Sequence, residues 1–295
     1  MIKSRLLLDL TCSIVLYKTE KSELVHVLSC ILGSKDLTLK IFLIDNSPTD
    51  ILGEVASMDS RIEYIFNNAN IGYGSGHNIA IRKSDGISKY HLILNADIEF
   101  DPKILTKAYD YMQVHQDTSM VSPQIRLPNG TLEYFCRRLP TPFDLIARRF
   151  VPGVAKQLFQ DKLHNYILYN EDYSKSMNIP NLPGCFMFVR MKALQRVNGF
   201  DENFFMYVED IDLTRKLNKV GKTIYYPEIV IKHCLARGSY KFSKLMVYHI
   251  ASAIYYFNKW GWFYDPERTK INNAVTVALQ KTELKAEKVK VYEIL

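Results

Sequence analysis

The chain is poor in features that would assign it at a glance. Its 295 residues contain no uncharged apolar run of the roughly 18 residues that a membrane-spanning helix needs, so no span is expected. No C-x-x-C pair occurs, and the five cysteines (Cys12, Cys30, Cys136, Cys185, Cys234) are scattered and odd in number. That argues against a disulfide framework and fits free thiols in a reducing, cytoplasmic setting. The glycines never fall into G-x-G-x-x-G with an acid at the ribose position, which disfavours a dinucleotide cofactor. An arginine-rich arm and zinc-finger spacing are also missing, so the net charge of +7 does not argue for nucleic acid. A modest basic excess suits an anionic ligand or an anionic membrane surface. There is neither an internal repeat nor a low-complexity segment.

What is present is a core-forming composition, 47% apolar, in an alternating order. The apolar start is interrupted by Asp9 and lacks a cleavage site, so Leu6–Tyr17 is read as a first strand. Leu24, Val27, Leu28 and Ile31 stand at helical spacing in 21–32. "KIFLIDNSP" is a strand broken at Asn-Ser-Pro, "RIEYIFNN" a third, and "YHLILNAD" a fourth after a glycine-rich loop and a helix from Asn78. Strand and helix alternate four times, which predicts a parallel sheet with crossover helices. Ligands on such sheets bind beyond the carboxyl ends of the strands. Asp45, Asn67, Asn95 and Asp97 fall at such ends and are expected to share one cleft. Further on, "SPQIRLPNGT" suggests a hairpin around Pro-Asn-Gly, and 140–180 a loop or lid. A helix over 208–219 is expected to close on a left-handed Gly221. "KTIYYPEIVIKH" is a further strand, and the chain is helical from about 240.

Four clusters could carry chemistry. Asn95-Ala96-Asp97 places two oxygen-bearing side chains on one side of a strand end, a pattern able to hold a hard divalent cation, although turns use the same residues. Gly72, Gly74 and Gly76 would let backbone approach a phosphate ahead of a helix N-terminus, or simply make a flexible loop. Glu209, Asp210 and Asp212 crowd a helix start, where acids favour the macrodipole and one could be a general base. His233 closes a strand, with Arg237 and Ser239 following, a set suited to metal and phosphate.

Taken in order, Asp45, the Asn/Gly-rich loop, Asn-x-Asp, "GCFM", "GFDENFFMYVEDIDL" and His233 resemble the inverting glycosyltransferases of family 2, with their GT-A fold. The likeness covers about residues 10–240 and is nearest the rhamnosyltransferase-like branch, where segments like "CRRLPTP" and "EDIDLTRK" occur. The resemblance implies an α/β GT-A domain over 1–239, with a nucleotide-sugar half to about 100 and an acceptor half beyond it, and a helical extension over 240–295. It implies that Asp45 contacts the donor nucleobase and that Asn68, Gly72 and Asn78 line the nucleotide pocket. Asn95 would lie near the ribose or diphosphate, and Arg237 and Ser239 on the phosphates. Asp97 and His233 would hold Mg²⁺ or Mn²⁺, and Asp210, flanked by Glu209, would be the base. Asn95 departs from a plain Asp-x-Asp. The implied partners are a nucleotide-sugar donor, with dTDP-L-rhamnose the first guess, and a saccharide or lipid-linked acceptor for cell-surface polysaccharide. Two alternatives stay open. One is a sugar-phosphate nucleotidyltransferase, which should carry a glycine-rich basic loop after its first strand where "CSIVLYKTEKSE" has no glycine. The other is a binding module of the same fold without chemistry. The aromatic, lysine-flanked segment 240–264 suits either a membrane interface or packing on the catalytic domain or a second subunit.

Overall fold

The computed structural model describes residues 7–146, 157–233 and 244–292, with side-chain surroundings to residue 280. Four predominantly apolar runs form the strands that anchor it. β1 (Leu8–Leu16), β2 (Leu39–Asp45), β3 (Ile62–Phe66) and β4 (Ser88–Leu94) pair in parallel in the order β3-β2-β1-β4. α1 (Lys21–Leu32) and α2 (Tyr73–Ser84) are two of their crossovers. α1 buries Leu24, Val27, Leu28 and Ile31, the helical-period stripe that the sequence displays. The link from β2 to β3 carries a 3-10 turn over Ile51–Met58.

Beyond β4 the sheet becomes mixed. The remaining elements are β5 (Ile98–Phe100), α3 (Lys103–Val114), β6 (Thr118–Arg126), α4 (Pro142–Leu145), α5 (Gln160–Tyr166), β7 (Met177–Asn178), β8 (Phe186–Arg190), α6 (Met191–Val197), α7 (Glu209–Val220), β9 (Lys222–His233), α8 (Lys244–Trp260) and α9 (Pro266–Tyr292). β8 runs antiparallel between β4 and β6, β9 runs parallel to β6, and β5 and β7 pair antiparallel with β9. These directions bring the carboxyl ends of β2, β4, β6 and β9 to the same edge as the amino ends of β5 and β8. The site is built on that edge.

Three local expectations are corrected. The helix expected from Asn78 begins at Tyr73, because Gly74 and Gly76 lie inside it and seat it closely: a Cβ at Gly76 would come within 2.8 Å of Val15, and one at Gly74 within 2.9 Å of Phe200. Gly221 is extended (φ 176°), not left-handed. Glycine is required there by crowding, since a Cβ would meet the Asp117 carbonyl at 2.9 Å. "LPNGT" does turn, on a Gly130 with φ +84°, but the returning arm pairs only through an Arg126–Leu132 bridge.

The C-terminal helices pack against the rest. Ala253, Tyr256 and Phe257 of α8 are buried with Leu145, Phe204, Val208 and Ile211. Among the described residues no helix is long and apolar enough to cross a membrane.

Candidate active site

The shared edge is assembled by long-range pairing. Ile98 is the register partner of His233, so Asp97, one residue earlier, faces the end of β9. Asp97 Oδ2 lies 3.2 Å from His233 Nε2. Burial works against an imidazolium at His233. The Cys185 sulfur nearby and the Asp97 carboxylate facing Nε2 outweigh it and push His233 up to about 10. His233 Nδ1 is buried without a hydrogen-bond partner among the described residues. Arg237 and Ser239, expected beside it, lie outside the described residues.

Asn95 closes β4. Its N–H donates to the Cys185 carbonyl at 2.9 Å, and its Oδ1 accepts from the Tyr73 hydroxyl at 2.9 Å. The same hydroxyl is 2.9 Å from the Gly184 carbonyl oxygen. On its other side, the Gly184 N–H donates to Asp210 Oδ2 at 3.1 Å, and a Cβ on Gly184 would stand 3.0 Å from that of Asp210. The base candidate and the Asn-x-Asp turn are therefore joined through one glycine.

The three acids of "EDID" part company. Two consecutive left-handed residues, Tyr207 (φ 68°) and Val208 (φ 69°), swing the chain into α7. A β-branched residue pays roughly 1–3 kcal/mol of strain there, a cost typical of functional corners. Asp210 then faces Gly184. Burial raises its carboxyl, while the N–H groups of Gly184 and Ile211, and Arg137 nearby, hold it down. Glu209 is buried with Oε2 unpartnered among the described residues, and burial and the Asp210 charge raise it to about 8. Asp212 points the other way. It is fully buried and accepts from Trp260 Nε1 at 2.7 Å and Lys259 Nζ at 2.8 Å.

The nucleotide-side residues also divide. Asp45 ends β2 fully buried, taking the Tyr64 hydroxyl at 2.7 Å and the Ser47 N–H at 2.8 Å. It lines a cavity of about 420 Å³ with Lys18, Ser47, Thr49 and Ile51 at the strand-end edge. Asn68 is exposed just past β3 in a left-handed turn (φ 51°), which asparagine tolerates. Gly72 has φ +93°, and the backbone it approaches is the protein's own: a Cβ there would fall 2.4 Å from the Phe205 carbonyl oxygen. The Asn78 side chain is buried and bonded to Phe200 N–H, Phe200 C=O and Glu202, each at 2.9 Å, so it staples α2 to the 199–202 turn where a pocket-lining side chain was expected.

Gly184 and Cys185, legible only as part of "GCFM" with no role attached, belong to the site, as do Tyr73 and Arg137, to which the sequence assigned no role. Tyr73 was legible only as the one aromatic in a glycine-rich run. A second cavity, about 530 Å³, lies at the opposite end of the sheet. Its Arg190 guanidinium is occupied by the Thr118 and Met112 carbonyls at 3.0 and 2.8 Å, which fits a structural role.

A mixed sheet with a parallel 3-2-1-4 half carries an acid-bearing turn and a helix-borne carboxylate at the strand-end edge, where α/β sheets bind their ligands. The family description "Glycosyl transferase family 2" matches residues 12–197, and the chain belongs to that family. It is similar to the N-acetylglucosaminyl-diphospho-decaprenol L-rhamnosyltransferase of Mycobacterium tuberculosis, 24% identical over 81% of each chain. It is also similar to rhamnosyltransferase WbbL of Escherichia coli, 28% identical over 76% of this chain and 84% of that one. Among solved structures it shares the GT-A fold with the mannosyltransferase PcManGT of Pyrobaculum calidifontis in complex with GDP-Man and Mn²⁺, at TM-score 0.56, 16% identity, and 98% and 81% coverage. It shares it also with GalNAc-T7 bound to UDP, GalNAc and Mn²⁺, at TM-score 0.58 and 13% identity; there 78% of this chain matches 43% of the other.

Proposed function

We propose that this family 2 glycosyltransferase moves a sugar, L-rhamnose from dTDP-L-rhamnose in the first instance, onto a saccharide or lipid-linked saccharide acceptor of cell-surface polysaccharide, with inversion at the anomeric carbon. The observation that carries the reading is the junction at Gly184, where Asp210 stands beside the turn bearing Asn95 and Asp97. The names of the Mycobacterium tuberculosis and Escherichia coli relatives favour rhamnose, and the former favours a lipid diphosphate acceptor.

Asp210 is the base in this reading. It accepts hydrogen bonds from the Gly184 and Ile211 N–H groups, which favour its anion, while burial raises its basicity. Both features suit removal of an acceptor hydroxyl proton near neutral pH. A double displacement would need a second carboxylate as nucleophile. Glu209 keeps its proton to about 8, and Asp212 is taken up by Trp260 and Lys259. Both features favour single displacement.

Asp97 and His233 fit a divalent cation, Mg²⁺ or Mn²⁺, since the two side chains face each other at 3.2 Å and both become metal donors once the cation displaces the proton that the His233 ring otherwise holds up to about 10. Among the described residues no cluster of three or more His, Cys, Asp or Glu side chains is placed to hold a metal ion, so a bound cation would complete its shell with diphosphate oxygens and water. When bound it would neutralise the leaving diphosphate. Asn95 would orient the ribose or diphosphate, and the cavity beside Asp45 would receive the base.

Nucleotide sugars should protect the enzyme against thermal unfolding by mass action. dTDP-L-rhamnose with Mn²⁺ is expected to raise Tm most, and Asp97→Ala to abolish that metal-dependent increment while changing little in EDTA. A panel in which another donor protects better would replace rhamnose, and equal losses with and without metal would remove the cation from Asp97.

A further inference from the structure

We propose that Tyr73 is a positioning residue that couples the donor-side turn to the catalytic base. This rests on Asp210 being that base. The Tyr73 hydroxyl is within 2.9 Å of two acceptors on different parts of the chain, Asn95 Oδ1 after β4 and the Gly184 carbonyl before β8. One proton can serve only one of them at a time. The residue thus senses both the Asn-x-Asp turn and the glycine whose N–H holds Asp210.

The ring is held more firmly than an ordinary tyrosine at a helix start. It meets His77 edge-on at 4.4 Å between centroids and Phe200 at 6.1 Å. His77 is itself pinned to the sheet. Its Nδ1 is 2.7 Å from Ser13 Oγ, which lies 2.8 Å from His91 Nε2, and His91 Nδ1 is 2.8 Å from Thr11 Oγ1. All four of these side chains are fully buried. Gly74 and Gly76 let α2 sit close enough for this chain to form. The Tyr73 N–H also donates to the Phe205 carbonyl at 3.1 Å, three residues before Val208. A polar ladder through the sheet thus fixes a single hydroxyl at the point where the two halves of the site meet. Buried polar networks of this kind are costly unless they specify an arrangement. Tyr73 remains a donor, because burial and the carboxylates of Glu209, Asp210 and Asp97 oppose its ionisation.

Without the hydroxyl, Gly184 loses one of the bonds that set its orientation, and Asp210 loses its registration with the acceptor hydroxyl. Small misplacements of this kind cost about 10²-fold in rate. Tyr73→Phe should therefore lower kcat by about 10- to 100-fold, with donor KM and Tm near wild type. In an Asp210→Asn background, assayed at high enzyme concentration, the same substitution should have no further effect, because it acts through the carboxylate. A Tyr73→Phe enzyme within twofold of wild-type kcat overturns the proposal, as does an equal loss in both backgrounds. If Asp210→Asn alone retains wild-type turnover, the base assignment fails first. That result is distinguishable from full activity of Tyr73→Phe beside a silent Asp210→Asn.

Discussion

Asp210 and Glu209 are neighbours in sequence with opposite prospects. Asp210 keeps two N–H donors, whereas Glu209 is buried with an oxygen unpartnered among the described residues. Asp210→Asn is expected to leave donor binding nearly intact and to slow transfer by about 10²–10⁴, the usual worth of a general base. Single-turnover rates alongside donor titration check this, and more than about a tenth of wild-type turnover would remove the role. Glu209 gives a prediction in pH. It ionises near 4.5 as an ordinary glutamate but only at about 8 in the folded chain. Folding takes up a proton between those values, so the native state binds more protons than the unfolded one and stability falls as pH rises through that window. Glu209→Gln should flatten this slope, gaining on wild type at pH 8 relative to pH 5. Urea midpoints at the two pH values test it; parallel slopes would mean that Glu209 is not the group responsible.

At the scale of elements, α7 is held from behind by the C-terminal helices. Arg215, fully buried, makes two 2.8 Å bonds to Asp265 and one of 3.0 Å to Glu267, with its guanidinium 4.1 Å from the centre of the Trp260 ring. Asp212 is partnered by Trp260 and Lys259 from the same segment. Removing one member of a buried pair leaves an uncompensated charge and costs about 3–5 kcal/mol. Asp265→Ala should lose that much in urea unfolding, while Arg82→Ala, which breaks the exposed pair with Glu202, should lose less than about 1 kcal/mol. Comparable losses would show that the Arg215 cluster is solvated. The boundary expected at 239/240 falls outside the described residues. A chain ending there would lack every one of these partners, so it is predicted to lose catalytic folding together with its tail.

For the whole molecule, the open question is where the exposed part of that tail goes. The face of α8 away from the core shows Val247 (62% exposed) and Ile254 (41%), and the following turn shows Phe263 (91%) and Tyr264 (84%). With a net charge of +7, these residues suit the interface of an anionic bilayer, where apolar insertion and charge attraction add. A lipid-linked acceptor would be met there. Co-flotation with anionic liposomes is expected at low salt and should weaken as salt rises, since screening acts over about 10 Å at 0.1 M. The variant Phe263→Ser with Tyr264→Ser should reduce it without disturbing the Arg215 cluster. Protein that stays at the bottom of the gradient at every salt concentration rules the membrane out.

The sequence by itself determined the parallel half of the sheet and the class of chemistry. Runs such as "FLID" and "LILN" stay apolar up to their last residue because parallel strands are covered on both faces, so that a polar residue closing the run marks where the strand stops. Asp45, Asn95 and Asp97 were therefore legible as strand-end residues from local order alone. Tertiary structure decided which neighbours they meet. Asp97 reaches His233 only because β5 turns back against β9, a pairing with no local signature. The three acids of α7 were indistinguishable until the left-handed corner at Tyr207 and Val208 sent Asp210 towards Gly184 and Asp212 towards Trp260. The glycines of "GYGSG" read as a loop because glycine is a poor helix former. Close packing on Val15 and Phe200 overrode that propensity, and with it decided that Tyr73 would stand at the centre of the site.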